Sequence, residues 1–201
     1  MKIRIAPGAL LLLFVAALTE GILFPAALLS VAVHECGHYL AAKALGVRLR
    51  LLELDVAGAK FVPAGAFPSY RAEGLLAAAG PAASLLLALL TLPHGGALAT
   101  ATRTVTLSLA LFNLLPVKNF DGGRILNACL SHFIGNDGAE RVLSVTSYLS
   151  LLALFALSSC VLLRYGQNLS LAVLSASLFA RLFLTGIGKS TKTRISEHLR
   201  E

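Results

Sequence analysis

The sequence predicts an all-α fold, a polytopic membrane bundle of about six transmembrane helices, on three observations. Mean hydropathy is +0.80. Of 201 residues 57% are hydrophobic and only 13% charged, whereas a soluble domain carries roughly 25% charged residues. The apolar residues fall into runs near the roughly 20 that a helix needs to cross the hydrocarbon core, with short polar links between them.

The first run, Ile5 to Leu18, follows Lys2 and Arg4, a flank that would also suit a cleaved leader. Only Thr19, Glu20 and Gly21 separate it from the second run, Ile22 to Leu45, so it is expected to be retained as one arm of a helical hairpin. Val47 to Gly74 is too long for a tight link and too polar for a span. Its alternating apolar positions, with repeated Gly and Pro, predict a short membrane-associated hairpin or re-entrant edge at the cytoplasmic face. The third and fourth runs, Gly74 to Leu92 and Ala97 to Leu115, are joined by a tight turn, Pro93 to Gly96. Val142 to Leu163 and Leu169 to Ile187 complete the set, followed by a short basic tail. No internal repeat appears, and residues 1–201 are expected to form a single integral-membrane domain.

The net charge of +7 is spread in clusters between apolar runs rather than along one basic face, so no nucleic-acid partner is expected. Basic residues are dense before the first run, after the second (Lys43, Arg48, Arg50, Lys60, Arg71), after the fourth (Lys118, Arg124, Arg141) and in the tail, and sparse in the alternate links. The positive-inside rule then puts both termini in the cytoplasm. Cys36, Cys129 and Cys160 lie in separate apolar segments without CxxC spacing, which predicts small core residues rather than disulfides or thiolate ligands.

Against this apolar background the stretch SVAVHECGHYLAAKALG, Ser30 to Gly46, places His34, Glu35 and His38 halfway along the second run. Ionisable groups at that depth are costly and by default functional. In HExxH on a helix, positions i and i+4 share a face, so His34 and His38 can offer two imidazoles to one zinc ion. Glu35, beside the first ligand, can serve as general base. Cys36 points away from that face, and Gly37 permits close approach of another helix.

A catalytic zinc site usually takes three protein ligands. Asp121, His94, His132 and Glu53 carry the right chemistry. His94 falls on the outer side, whereas Asp121 and His132 follow the fourth run on the cytoplasmic side. Asp121 is favoured because NLLPVKNFDGG, Asn113 to Gly123, breaks a helix at Pro116 and flanks the carboxylate with glycines.

With HECGH in one span, AAAGPAAS (Ala77 to Ser84) in the next, and FNLLPVKNFDGGRIL (Phe112 to Leu126) after that, the chain resembles the site-2 protease family of intramembrane zinc metalloproteases, peptidase family M50. The resemblance covers about Ile22 to Ile134 and implies a catalytic core of about residues 22–134 built on the second, third and fourth spans. It implies Asp121 as the third ligand of one zinc per chain, and a bacterial cell membrane location. The layout is similar to the sporulation-type branch (stage IV sporulation protein FB-like), which processes a membrane-associated sigma-factor precursor. Ser84 stands where the family's Gly-Pro-x-x-Asn pattern has an asparagine implicated in substrate contacts. No PDZ domain separates the third and fourth spans and no CBS domain follows the sixth, so regulation by either is not expected.

Taken together, the expected activity is hydrolysis of a peptide bond in or near a transmembrane segment of a membrane protein substrate. A zinc held there would supply Lewis acidity toward the scissile carbonyl, and Glu35 would move the proton. Asn113 and Asn119, with Ser84, are candidate substrate contacts, and the Val47 to Gly74 hairpin could hold an extended substrate by strand addition. The lipid bilayer, the substrate and membrane regulatory proteins are the expected partners. A zinc hydrolase acting on a lipid amide would use the same metal chemistry, and a catalytically silent scaffold would leave His34, Glu35 and His38 incidental.

Overall fold

The computed structural model describes residues 2–5, 17–18, 20–55, 58–65, 67, 69–118 and 120–165. Most of the first expected span, all of the sixth, the basic tail and Asn119 lie outside them. The chain divides into two compact units, Met1–Glu140 and Arg141–Glu201.

In the first unit, helix α1 (Leu23–Ala44) begins behind a turn in which Leu23 N donates to Glu20 O at 3.0 Å. Pro25 falls in its first turn, where no amide hydrogen is missed. The helix closes with Val47 N donating to Ala42 O at 2.8 Å and Gly46 N to Lys43 O at 3.3 Å. This is the paired cap of a Schellman motif, and Gly46 takes the left-handed conformation it requires, φ 67°. Ala26, Ser30, His34, His38 and Ala42 recur every four residues and are all buried, so α1 presents one stripe to its neighbours.

Helix α2 (Tyr70–Leu90) is capped by Ser69, whose Oγ accepts from Ala72 N at 3.1 Å. Its buried face is Ala72, Leu76, Gly80, Ser84 and Ala88, again at intervals of four. Helix α3 (Ala97–Asn113) buries Thr102, Thr106 and Ala110 and stops short of Pro116. The side chain of Arg103 reaches back across the α2–α3 turn, Nη2 donating to Thr91 O at 2.6 Å. Helices α1, α2 and α3 pack pairwise against one another. Gly37 of α1 lies directly against Ala79 and Ala83 of α2.

Helix α4 (Asp121–Tyr165) is interrupted at Gly135, φ 73° and ψ 170°. It begins in the first unit and ends in the second, where Leu143, Ser147, Leu151 and Ser158 are its buried face. The expected fifth span, Val142 to Leu163, lies within this helix, whose start the turn at Asp121 sets much earlier.

Mostly helical, the fold is nonetheless not all-α. Lys2–Ile5 (β1), Leu49–Asp55 (β2) and Gly58–Pro63 (β3) form a three-stranded sheet in the order β1-β2-β3, with β1 parallel to β2 and β2 antiparallel to β3. The expected hairpin in Val47 to Gly74 is β2 and β3. Strand β1 was not expected from the sequence, because its Lys-Ile-Arg-Ile alternation is only four residues long and runs into an apolar stretch. Arg4 and Glu53 are register partners and form an ion pair at 3.3 Å.

The burial pattern of the helices is inverted relative to a water-soluble bundle. Inside, Ala, Gly, Ser and Thr outnumber the few large residues, such as Leu76 and Leu151; outside, Leu40 and Leu111 are 63% and 69% exposed. Small residues between helices and large apolar ones facing outward suit a lipid surround. Among the described residues two helical segments, Tyr70–Leu90 and Asp121–Val161, are long and apolar enough to cross a membrane. The cysteines correct one expectation. Cys36, Cys129 and Cys160 are all exposed, because in this bundle a small apolar thiol joins the leucines on the outer face and polar Ser and Thr take the inner one.

Candidate metal centre

His34 and His38 occupy successive turns of the buried α1 stripe, 4% and 7% exposed. Counting 1.5 Å per residue from Leu23, His34 lies about 17 Å along the helix, near its middle. Both rings are gripped by α2. His38 Nδ1–H donates to Leu76 O at 2.8 Å, and since a carbonyl only accepts, the neutral ring keeps its lone pair on Nε2. His34 Nδ1 lies 3.0 Å from Ser84 Oγ, so its Nε2 also faces inward. Pro81, within α2, has no amide hydrogen for Ala77 O, which loosens the helical hydrogen bonding beside the carbonyl that His38 uses.

The third side chain arrives from the α3–α4 turn. Val117 N donates to Leu115 O at 2.7 Å, Phe120 N to Val117 O at 3.0 Å and Arg124 N to Phe120 O at 3.0 Å, and the rings of Phe112 and Phe120 close the turn at 5.1 Å. A Cβ at Gly122 or Gly123 would collide with Leu114 O or Val117 O, so only glycine lets the turn fold this tightly onto the helix start. Asp121 is thereby fixed in the first turn of α4, buried, where a carboxylate is favoured by the helix dipole.

These side chains converge. His34 Nε2 lies 3.2 Å from His38 Nε2 and 3.1 Å from Asp121 Oδ2, and His38 Nε2 is 3.3 Å from the same oxygen. A tetrahedral zinc with bonds of 2.0–2.1 Å has ligand–ligand edges of roughly 3.3 Å. Gly80 supplies the room, since a Cβ there would run into His38 Nε2 and lie 2.8 Å from His34 Nε2. Three acceptor atoms aimed at one point, in a space left open by a missing side chain, fit a divalent cation.

Of the four third-ligand candidates, Asp121 alone joins this cluster among the described residues. His94 is exposed, its Nδ1 donating to Leu90 O at 3.0 Å; His132 is exposed and edge-on to Phe133; Glu53 is paired with Arg4 in the sheet. Glu35 is half-buried, within electrostatic range of both histidines, Asp121 and Arg124. Asn113 spends its amide on Leu109 O of its own helix at 3.1 Å. Ser84, taken from the sequence as a candidate substrate contact, is fully buried against His34. Arg124, singled out in the sequence only as a loop charge, lies 3.9 Å from Asp121 Oδ1, with its guanidinium 5.8 Å from the Phe67 ring centroid. Its spacing of i+3 from Asp121 was the available signal.

Residues 95–157 match Peptidase family M50, a segment that contains Asp121 but neither histidine of the cluster. Over 123 residues the chain is 35% identical to a Synechocystis sp. (strain ATCC 27184 / PCC 6803 / Kazusa) protein named "Putative zinc metalloprotease sll0528", a match covering 53% of this chain. That match spans only 31% of the relative's length. Among solved structures, the site-2 protease from Methanocaldococcus jannaschii is similar in fold, with a TM-score of 0.68 at 24% identity, covering 90% of this chain and 89% of that one.

Proposed function

We propose that the protein is an intramembrane zinc metalloprotease that hydrolyses a peptide bond in or near a transmembrane segment of a membrane protein. The observation that carries this is the convergence of His34, His38 and Asp121 beside Glu35, within helices whose outer faces are leucine-rich. The similarities to metalloproteases support the same reading. Bound at these three side chains, zinc would supply Lewis acidity toward a peptide carbonyl and toward water.

The chain's own residues do the rest. Leu76 O orients the His38 imidazole, and the buried small-residue packing of α1 to α3 limits solvent at the site. Glu35 takes a proton from the attacking water as the C–O bond forms and delivers it to the amide nitrogen as the C–N bond breaks. A peptide inside an intact helix is shielded by its own hydrogen bonds, so the substrate must be locally extended. The sheet formed by β1, β2 and β3 offers an edge for that extended segment. A role in regulated intramembrane proteolysis of a sigma-factor precursor or anti-sigma factor, with both termini cytoplasmic, is the finer form of this proposal.

The test uses a single-span peptide substrate and purified protein in detergent. His34→Ala, His38→Ala and Asp121→Asn should lose zinc and activity together. Glu35→Gln should keep zinc but cleave about 10²-fold more slowly or worse, because the amide cannot take a proton. Cleavage at the unaltered rate by Glu35→Gln would overturn the mechanism. Chelator-sensitive turnover of a lipid amide, with none of the peptide, would overturn the protease assignment.

A further inference from the structure

We propose that Ser84 is a positioning residue whose hydroxyl fixes the ring orientation of His34, the first histidine of the metal centre. The inference rests on the metal-centre assignment above. Ser84 is 0% exposed, and its Oγ lies 3.0 Å from His34 Nδ1. A side chain so enclosed is occupied with its neighbour, which argues against the direct substrate contact that its place in the Gly80-Pro81-Ala82-Ala83-Ser84 segment suggests.

The geometry of α2 explains why a serine is needed there. Leu76, Gly80 and Ser84 are four residues apart, so they form one vertical row facing His38 and His34, which are also four apart on α1. The three members of the row act differently. Leu76 O holds His38, Gly80 leaves space between the two Nε2 atoms, and Ser84 Oγ holds His34. The two histidines differ in one respect. His38 is held by a main-chain oxygen, which no substitution removes, whereas His34 depends on a side chain.

An imidazole flips between two roughly equivalent χ2 wells, presenting either nitrogen. With Nε2 given to a metal, neutral His34 carries its hydrogen on Nδ1 and donates it to Ser84 Oγ. Without that acceptor, the Nδ1–H would be buried unpaired in the metal-competent orientation, and the ring would gain by turning away.

The full chain, purified in detergent, is titrated with zinc against a chromophoric chelator, and its cobalt-substituted form is read by visible absorption. Gel filtration and far-ultraviolet circular dichroism report folding. Ser84→Ala should bind zinc about 10- to 100-fold more weakly, the range typical of lost outer-shell partners, and its cobalt spectrum should change as the His34 ligand loosens. Ser84→Thr, which keeps the hydroxyl but adds a methyl at a filled position, should bind zinc more tightly than Ser84→Ala and keep the wild-type cobalt spectrum. Unaltered zinc affinity and cobalt spectrum in Ser84→Ala would overturn the proposal. So would equal weakening in Ser84→Ala and Ser84→Thr, which would trace the effect to packing. His34→Ala separates the two levels: if it binds zinc as tightly as wild type, the metal centre itself is wrong and the Ser84 role falls with it. If His34→Ala loses zinc and Ser84→Ala does not, only the role of Ser84 is lost.

Discussion

Replacing Gly80 with alanine should abolish tight zinc binding while leaving the helix intact. The added Cβ would collide with His38 Nε2 and stand 2.6 Å from His38 Cε1 and 2.8 Å from His34 Nε2, where ordinary contact begins at 3.4 Å. To restore ordinary contact at Cε1, the His38 ring would have to retreat by about 0.8 Å, while metal–ligand distances tolerate only about ±0.2 Å. Neither ring can swing freely, because Leu76 O and Ser84 Oγ hold their far sides. Both imidazoles are disturbed at once, so the loss should exceed the 10- to 100-fold typical of an outer-shell change, about 10²-fold or more. Stability should change little by comparison. Alanine is favoured over glycine in a helix by about 1 kcal/mol, which offsets much of the roughly 1–3 kcal/mol that overpacking costs. Chelator-competition titration, alongside thermal unfolding in detergent, checks both halves. Wild-type zinc affinity in a folded Gly80→Ala protein would refute the claim that the missing side chain makes room for the metal.

Two further outcomes test the architecture. Cysteines introduced at Glu20 and Gly95 should react with a membrane-impermeant reagent applied outside the cell, and protection of both would overturn the proposed orientation. Ser30 Oγ and Thr106 Oγ1 lie 2.6 Å apart and both residues are buried; a double-mutant cycle with Ser30→Ala and Thr106→Val should give a coupling of about 0.6 kcal/mol, at most about 1.7, and zero coupling would remove this pair as an α1–α3 tie.

The histidine pair was legible because i and i+4 positions on a helix meet without help from the rest of the fold. The third partner was only partly legible. His94, His132, Glu53 and Asp121 have interchangeable chemistry on paper, and what separates them is three-dimensional: Glu53 is drawn off by Arg4 of a strand nearly fifty positions away, and Asp121 is carried inward by a turn that closes on glycines. Ser84 was visible as a departure from a pattern, but its pairing with His34 depends on the relative register of two helices, which local periodicity does not encode. Likewise β1 lacked any signal of its own, because a parallel partner supplies its hydrogen bonds from the far side of α1.

The small-residue interior also sets which mutations the protein should tolerate. In an oil-drop core the vulnerable change is large to small, because it opens a void. Here that sensitivity is reversed. Trimming Leu40 or Leu111, which face outward, removes little packing, whereas a side chain added at Gly37 would run into Ala79 and Ala83 and wedge apart helices that meet there almost backbone to backbone, and Ala26 and Ala77, both 0% exposed, have no open side to grow into. Evolutionary drift should therefore run freely among the bulky positions and be held tightly at the small ones, with side-chain size and not hydrophobicity marking where the fold is rigid.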